Sequence, residues 1–133
     1  MDARPLVGWF CTGDSHHAWA TRELDRLPSG ALVCEAVLAE VCHLVAKDGV
    51  RPSAVLRLVE QNDLVLLPLG REIAHIRALL DRYLDVGMDF ADACVVRLAE
   101  LHPDTIVCTT DTDFRVYWKH GRESIPLLAP FAS

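Results

Sequence analysis

Apolar residues recur at every third or fourth position in several stretches of the chain, which is the spacing of an amphipathic helix. The clearest stretch begins at Phe90 and ends at Leu101, where one predicted helix face carries Ala91, Cys94, Val95, Leu98 and Leu101. The same spacing predicts further helices over residues 16–27, 34–49, 52–60 and 71–83.

Short apolar runs rich in β-branched residues lie between these helices. Such runs, when polar residues or turn signals end them, are typical of buried strands, and they predict strands over residues 31–33, 64–67, 105–108 and 125–128. A further short helix is predicted from Phe114 to Trp118, with Gly121 breaking it, and the last strand is expected at a sheet edge because it contains Pro126. Alternating strands and helices predict an α/β sandwich with a mostly parallel sheet.

Carboxylates occur at two positions in the sequence that this fold would bring close together. Asp89 and Asp92 lie at the start of the helix over residues 90–101, and Asp111 and Asp113 follow the strand over residues 105–108. Ligand sites of parallel sheets lie beyond the carboxyl ends of the strands, so the carboxylates at the helix start and at the strand end could converge on one site.

Helix capping is the competing explanation for these aspartates, because Asp is a common N-cap residue. Taken singly, Asp89 and Asp113 are better explained as caps. Asp92 lies between two alanines, which suggests tight packing around a carboxylate that needs a partner or a bound ion. For Asp111 the capping and binding explanations are more evenly balanced. Glu40 lies beside the apolar Val37–Val41 face of its helix, and its assignment to site or surface stays open.

Composition narrows the class of protein. With 133 residues, of which 51% are hydrophobic, the chain is expected to form one domain over residues 1–133. We expect a cytoplasmic protein with no membrane segment, because no leader pattern and no apolar run of roughly 18 residues occurs. The five scattered cysteines predict buried, reduced thiols, and the pair His16-His17 is expected at a surface or helix start instead of a zinc site.

The formal net charge of −6 argues against nucleic-acid binding through bulk positive charge. It leaves a nuclease possible, because carboxylates that hold divalent cations lower the net charge and the bound ion reverses the local field. Basic residues near the C-terminus could form either a local basic patch or ordinary solvated surface: Arg115, Lys119, His120 and Arg122.

Several motifs resemble those of PIN domains, in family order and at family spacing. They are D-A-R-P-L-V with the following H-H-A-W-A, V-L-A-E-V-C-H-L-V, M-D-F-A-D-A-C-V-V-R-L-A-E and T-T-D-T-D-F-R-V-Y. Within that superfamily the chain is similar to the VapC-type toxin ribonucleases of bacterial toxin–antitoxin systems. The resemblance implies a PIN-like three-layer sandwich, with a central sheet flanked by helices.

The resemblance also implies an activity, a metal and partners. The chain would be a metal-dependent endoribonuclease that hydrolyses RNA phosphodiester bonds with Mg²⁺ or Mn²⁺, would form a homodimer, and would bind a small antitoxin protein. The acidic positions of the family correspond to Asp2, Glu40, Asp92 and Asp111, with Asp89 and Asp113 as assisting acids. We expect Asp2, Asp92 and Asp111 to be metal ligands and Glu40 to hold a metal-bound water or orient the attacking one.

The chain departs from the family pattern at its start. Family members usually carry several apolar residues before the first aspartate, which form the central first strand, whereas here only Met1 precedes Asp2. Either the start lies too late or the sheet lacks this strand, so the first strand is expected to be truncated. Arg4 stands where the family often has a small residue, and we expect it to project to solvent instead of contacting RNA phosphate.

Two other functions use the same residues. A catalytically inactive PIN-like module would use its acidic pocket only to bind a protein partner, and the short start of the chain favours it. A phosphoacceptor or phosphatase domain is disfavoured, because it would want Asp-x-Asp after the first strand and Asp111-Thr112-Asp113 comes late in the chain.

Overall fold

Helices and short strands alternate along residues 1–132, which the structure, a computed structural model, describes. The helices are α1 (Ala3–Phe10), α2 (His17–Leu24), α3 (Glu35–Lys47), α4 (Pro52–Glu60), α5 (Ile73–Arg82) and α6 (Phe90–Leu101). The strands are β1 (Ala31–Val33), β2 (Leu64–Leu66), β3 (Val107–Cys108), β4 (Trp118–Lys119), β5 (Glu123–Ser124) and β6 (Leu127–Leu128). Three short 3₁₀ helices cover Gly70–Glu72, Leu84–Val86 and Thr112–Arg115.

The strands pair in two parallel sets and one antiparallel hairpin. Strand β1 runs parallel to β2, with Ala31 opposite Leu64, and β3 runs parallel to β6, with Val107 opposite Leu127. Parallel strands need a crossover connection, which α3 and α4 provide between β1 and β2. The predicted α/β class with mostly parallel strands is confirmed, and β6 lies at an edge as expected.

Met1 and Asp2 lie between the two parallel pairs and link them through backbone hydrogen bonds. The amino group of Met1 donates to the carbonyl of Leu32 at 3.0 Å, and the amide of Asp2 donates to the carbonyl of Cys108 at 2.9 Å. Two consecutive residues that donate to opposite neighbours follow the pattern of a central strand. This position fixes Asp2 beside the carboxyl end of β3.

Valines of α3 and α6 form the centre of the core. Val37, Val41 and Val45 on α3 and the adjacent Val95 and Val96 on α6 are almost fully buried. The α3 valines are four residues apart and therefore lie on one face of their helix. Helix α3 packs against both α1 and α6, so it contacts the two elements that carry Asp2 and Asp92.

The structure corrects the prediction for the chain after Asp111. The predicted helix from Phe114 to Trp118 is wrong: a 3₁₀ turn covers Thr112–Arg115, and Trp118 begins a hairpin that turns at His120 and Gly121. Both turn residues have positive φ angles, 51° and 65°, as tight hairpin turns require. The burial of Phe114 and Tyr117, whose rings meet edge to face with centroids 5.1 Å apart, draws the segment into the core.

Other boundaries also differ. Helix α1 was not predicted, because its apolar run lacks a polar face that would reveal a helical period. Helix α2 ends at Leu24 and not at Leu27, and the hairpin of β4 and β5 precedes a last strand reduced to two residues. None of the helices described is both long and apolar enough to cross a membrane.

Candidate active site

Asp2 is a buried carboxylate held by donors on both of its oxygens. It is the N-cap of α1, so its Oδ1 accepts from the amide of Ala3 at 2.8 Å. Its Oδ2 accepts from the hydroxyl of Thr109 at 2.7 Å, and the residue is 5% exposed. The hydrogen bonds offset part of the cost of burying this acid and fix the direction in which its remaining lone pairs point.

Thr109 joins Asp2 to the loop after β3. Its hydroxyl oxygen accepts from the amide of Asp111 at 3.0 Å while its hydroxyl hydrogen goes to Asp2. Asp111 in turn is the N-cap of the 3₁₀ turn, and its Oδ1 accepts from the amide of Asp113 at 2.9 Å. One buried threonine therefore fixes two acidic residues that come from opposite ends of the sequence.

Asp89 and Asp92 form a reciprocal capping box at the start of α6. The amide of Asp92 donates to Asp89 Oδ1 at 2.8 Å, and the amide of Asp89 donates to Asp92 Oδ2 at 3.2 Å. The same oxygen of Asp92 accepts from the hydroxyl of Tyr117 at 3.3 Å. The predicted cap at Asp89 is confirmed, and the carboxylate of Asp92 has the partner that its close surroundings required.

The pKa of each of three acids in this region is raised. Burial is the main cause for Asp92, whose pKa rises to about 7, and the negative charges of Asp89, Asp2 and Asp111 raise it further. Burial also raises the pKa of Asp2, against the lowering effect of its hydrogen bonds, and Asp111 adds to the rise. Acids that alter one another in this way lie within one electrostatic site.

Glu40 on α3 belongs to the same site. Burial raises the pKa of its carboxyl group, and the charges of Asp2, Asp89 and Asp111 raise it further, whereas Arg4 acts in the opposite direction. Arg4 is exposed, as the sequence predicted, two residues after the buried Asp2. Glu40 is half-buried, and its electrostatic neighbours are acids of the other segments.

The sequence missed two residues that organise these acids, Thr109 and Tyr117. Thr109 could have been found, because it is the first polar residue after a buried strand and lies two positions before Asp111. Tyr117 ends the last motif that resembles PIN domains, but nothing in the sequence pairs it with Asp92, because only the tertiary fold brings the two together. Asp113 was expected to be a cap, which is wrong: Asp111 caps the turn, and Asp113 lies within it.

The remaining candidates lie outside the acidic cluster. The cysteines are free, and all but the half-buried Cys42 are buried, as predicted. His16 and His17 stand at the start of α2, also as predicted. The C-terminal basic residues do not form a patch, because Lys119 is buried and donates to the carbonyl of Pro103, and the guanidinium of Arg115 stacks over Phe131 at 4.4 Å.

The carboxylate oxygens of these acids suit a hard divalent cation, although the side chains do not converge on a single point. Within residues 1–132, no three Asp, Glu, His or Cys side chains are arranged to hold a metal directly. Mg²⁺ needs only one or two carboxylates and keeps several waters, so carboxylates that share an electrostatic site without closing on a common point fit this ion. Burial, and to a smaller extent the charges of neighbouring acids, raise the pKa values of Asp2, Glu40 and Asp92.

The chain matches the model of a known protein family. A family model described as "PIN domain" matches residues 1–119, which include every acidic residue of the cluster and both residues that hold them in place. No curated protein matches the chain.

Proposed function

The chain belongs to the PIN domain family, and from that premise we propose that it is a divalent-metal-dependent endoribonuclease, the toxin of a VapC-type toxin–antitoxin pair. PIN domains are generally nucleases that act on RNA, often serve as toxins, and typically use divalent metal ions. The finer assignment rests on the acidic site of this chain and on the motifs that it shares with VapC-type toxins.

The observation that carries the proposal is the electrostatic coupling of four acids from four separate segments. Asp2, Glu40, Asp92 and Asp111 lie before α1, within α3, within α6 and after β3. Burial raises the pKa of each of the first three, and the charges of other acids in the group raise it further. Concentrated negative charge is costly for a fold, and a function that binds a cation explains why it is kept.

Each residue has a distinct place in the proposed site. Asp2, Asp92 and Asp111 would hold Mg²⁺ or Mn²⁺, with Asp89 and Asp113 as assisting acids. When bound, the ion would supply the charge that activates water and stabilises the phosphoryl oxygens. Glu40, whose pKa is raised by burial and by the charges of neighbouring acids, would orient the attacking water and receive its proton.

Hydrogen bonds on the acids support these roles. Thr109 keeps one oxygen of Asp2 occupied, and Tyr117 together with the amide of Asp89 occupies Oδ2 of Asp92. The Oδ1 atom of Asp92 receives none of these hydrogen bonds and is therefore the oxygen that we assign to the ion. Partners fix the orientation of a ligating carboxylate, so we expect Thr109 and Tyr117 to position the ligands without touching RNA.

The proposed macromolecular partners are RNA, a second copy of the chain and a small antitoxin. Large apolar side chains near the site support protein contacts: Leu84, Phe90 and Trp118 are 74%, 50% and 43% exposed. Phe90 directly follows Asp89, and the amide of Trp118 donates to the hydroxyl of Tyr83, the residue before Leu84. Exposed apolar surface beside a site is typical of a protein interface.

The test compares cleavage by two aspartate variants. The purified chain is incubated with structured RNA in chelator, and then with added Mg²⁺ or Mn²⁺. We expect cleavage only with the ion. The Asp92→Asn variant should lose cleavage, and the Asp81→Asn variant, which changes an exposed acid in the last turn of α5, should retain it. Circular dichroism checks that both variants fold.

Two results would contradict the proposal. Undiminished cleavage by pure Asp92→Asn would remove Asp92 from the site. A folded wild-type chain that cuts no RNA with either ion, yet forms a stable complex with a protein partner through the acidic surface, would indicate the inactive binding module instead.

A further inference from the structure

Two of the five cysteines contact each other in the core, between α3 and α6. Cys34 is the N-cap of α3, and Cys94 lies on the buried face of α6. Their side chains form a hydrogen bond with each other, and each residue is 2% exposed. The two helices pack against each other, so this contact, which we call the thiol pair, joins elements that are far apart in the sequence.

The surroundings of Cys34 stabilise a thiolate. The hydrogen bond with the Cys94 thiol is the main cause that lowers the pKa of Cys34, and the amides of Val37 and Ala36 lower it further, against the effect of burial. These amides are among the free donors at the start of α3, where the helix dipole also favours a negative charge. Because the thiolate is the nucleophile in cysteine chemistry, Cys34 is the sulfur of the pair that is disposed to react.

The other three cysteines are in surroundings that retain the thiol proton. Burial raises the pKa of Cys11 to about 11 and that of Cys108 to about 12, and it also raises the pKa of Cys42. Cys42 is half-buried, and its thiol donates to the carbonyl of Pro52 at 3.9 Å. It is therefore a suitable control for the thiol pair, because it is more accessible to reagents but not disposed to react.

Burial of the thiol pair restricts the oxidant that can reach it. Glutathione disulfide is too bulky to reach a sulfur of a residue that is 2% exposed, whereas hydrogen peroxide is little larger than water. Because Cys94 already contacts Cys34, an oxidised Cys34 has a second thiol beside it that can react before further oxidation occurs.

We propose that Cys34 and Cys94 are a peroxide-sensitive modification site, which closes to a reversible disulfide between α3 and α6. The Cys34 thiolate attacks one oxygen of hydrogen peroxide, the O–O bond breaks, and the hydroxide that leaves takes up a proton to become water. The sulfur of Cys94 then attacks the sulfur of the Cys34 sulfenic acid. The S–S bond forms as the S–O bond breaks, and the hydroxyl leaves with the proton of Cys94 as a second water. The two thiols lose two electrons, and the peroxide is reduced to two waters.

The disulfide would connect the two helices that carry Glu40 and Asp92. An S–S bond is about 2.05 Å long, which is shorter than the contact between two thiols, so its formation draws Cys34 and Cys94 together. Formation of the bond does not depend on the proposed ribonuclease activity, and it can be measured without RNA or metal.

The test treats the reduced, folded chain with hydrogen peroxide and then alkylates the remaining thiols under denaturing conditions. We expect the intact mass to fall by the mass of two hydrogens, three of the five thiols to remain for alkylation, and peptide mapping to link Cys34 with Cys94. Dithiothreitol should restore all the thiols. The disulfide should raise Tm by at least about 5 °C, because it constrains the unfolded chain.

Variants distinguish the thiol pair from the other cysteines. Cys42→Ser should form the same link as wild type, whereas Cys34→Ser, which keeps an N-cap side chain, should form none. Cys94→Ala removes the second thiol, so its Cys34 should gain oxygen from peroxide instead of forming a disulfide.

The wild-type chain alone decides the outcome, whether or not each variant folds. Five free thiols after peroxide treatment would overturn the proposal, and so would a disulfide that joins any other two cysteines. Glutathione disulfide that adds glutathione to the folded chain as readily as peroxide links it would show that the sulfurs are accessible to bulky reagents, and the thiol pair would then not be selective for peroxide.

Discussion

Thr109 donates its hydroxyl hydrogen to Oδ2 of Asp2 at 2.7 Å, across 107 residues of sequence. Both residues are buried, and the same hydroxyl oxygen accepts from the amide of Asp111. This one side chain therefore ties the N-terminal segment to the loop after β3 and sets the relative positions of two proposed metal ligands.

Replacing Thr109 with Val should destabilise the fold and weaken cleavage together. Valine keeps the volume but leaves Asp2 Oδ2 and the amide of Asp111 without a partner, which costs about 1–3 kcal/mol for each buried group left unsatisfied. Denaturant unfolding measures the loss. Thr109→Ser is the matched control, because it keeps the hydroxyl, and it should remain nearer to wild type in both stability and cleavage. Equal losses in the two variants would show that the methyl group matters and the hydrogen bond does not.

Tyr117→Phe should reduce cleavage with only a small effect on stability. The substitution removes the hydroxyl that donates to Asp92 at 3.3 Å but keeps the ring, which packs edge to face on Tyr83 and Phe114. We expect a loss of about 0.5–1.5 kcal/mol in the free energy of unfolding. Tyr83→Phe is the control, because its hydroxyl accepts from the amide of Trp118 and does not contact Asp92. A normal cleavage rate in Tyr117→Phe would remove Tyr117 from the set of positioning residues.

The sequence predicts elements best where hydrophobic spacing is long and unambiguous. Helix α6 was predicted at its observed bounds, because its apolar face is continuous and Asp89 marks its start. Helix α4 was also predicted at its bounds, with Pro52 in its first turn. The segment after Asp111 was not, since its conformation depends on burial of Phe114 and Tyr117 against distant elements, and such tertiary packing overrides local spacing.

The candidate site, like the fold, was only partly predictable from the sequence. Position alone indicated the acids next to a predicted helix start and strand end, which are Asp89, Asp92, Asp111 and Asp113, whereas Asp2 came from the family resemblance and Glu40 stayed open. In the structure the charges of Asp2, Asp89 and Asp111 act on both Glu40 and Asp92. The residues that orient these acids could not all be proposed from the sequence. Tyr117 and Asp92, for example, are 25 residues apart, and no hydrophobic periodicity indicates their contact. Sequence thus predicts which charges could meet, and tertiary structure determines what orients them.

Variants of Asp89 should distinguish a helix-capping role from a role in metal binding. Asp89→Ala removes the side chain that accepts from the amide of Asp92 and should cost about 0.5–2 kcal/mol of stability. Asp89→Ser keeps an N-cap acceptor but loses the charge, so it should retain most of the stability. If Asp89 assists the metal, cleavage by Asp89→Ser should require more Mg²⁺ than wild type. An unchanged Mg²⁺ requirement would restrict Asp89 to capping.

Without a divalent cation, the chain should lose stability as pH rises from about 4 to about 7. The folded state raises the pKa of Asp92 from its ordinary value of 3.8 to about 7, so in this window the folded chain binds more protons than the unfolded chain. Stability therefore falls with rising pH, because ionisation is disfavoured in the fold. Urea unfolding in chelator at several pH values measures the slope, and Asp92→Asn should flatten it. An equal slope in that variant would assign the effect to other groups.

Divalent cations should reverse this trend, and the size of the reversal should depend on pH. An ion must displace protons from the carboxylates that it binds, so Mg²⁺ or Mn²⁺ should raise Tm more at pH 8, where Asp92 is mostly ionised, than at pH 5.5, where it is mostly protonated. Sodium chloride at matched ionic strength controls for screening of the acidic surface. Asp92→Asn should show a smaller rise in Tm, with less dependence on pH. A rise of the same size at both pH values would mean that the ion binds somewhere other than the acids whose pKa values are raised, and the acidic cluster would then not be the metal site.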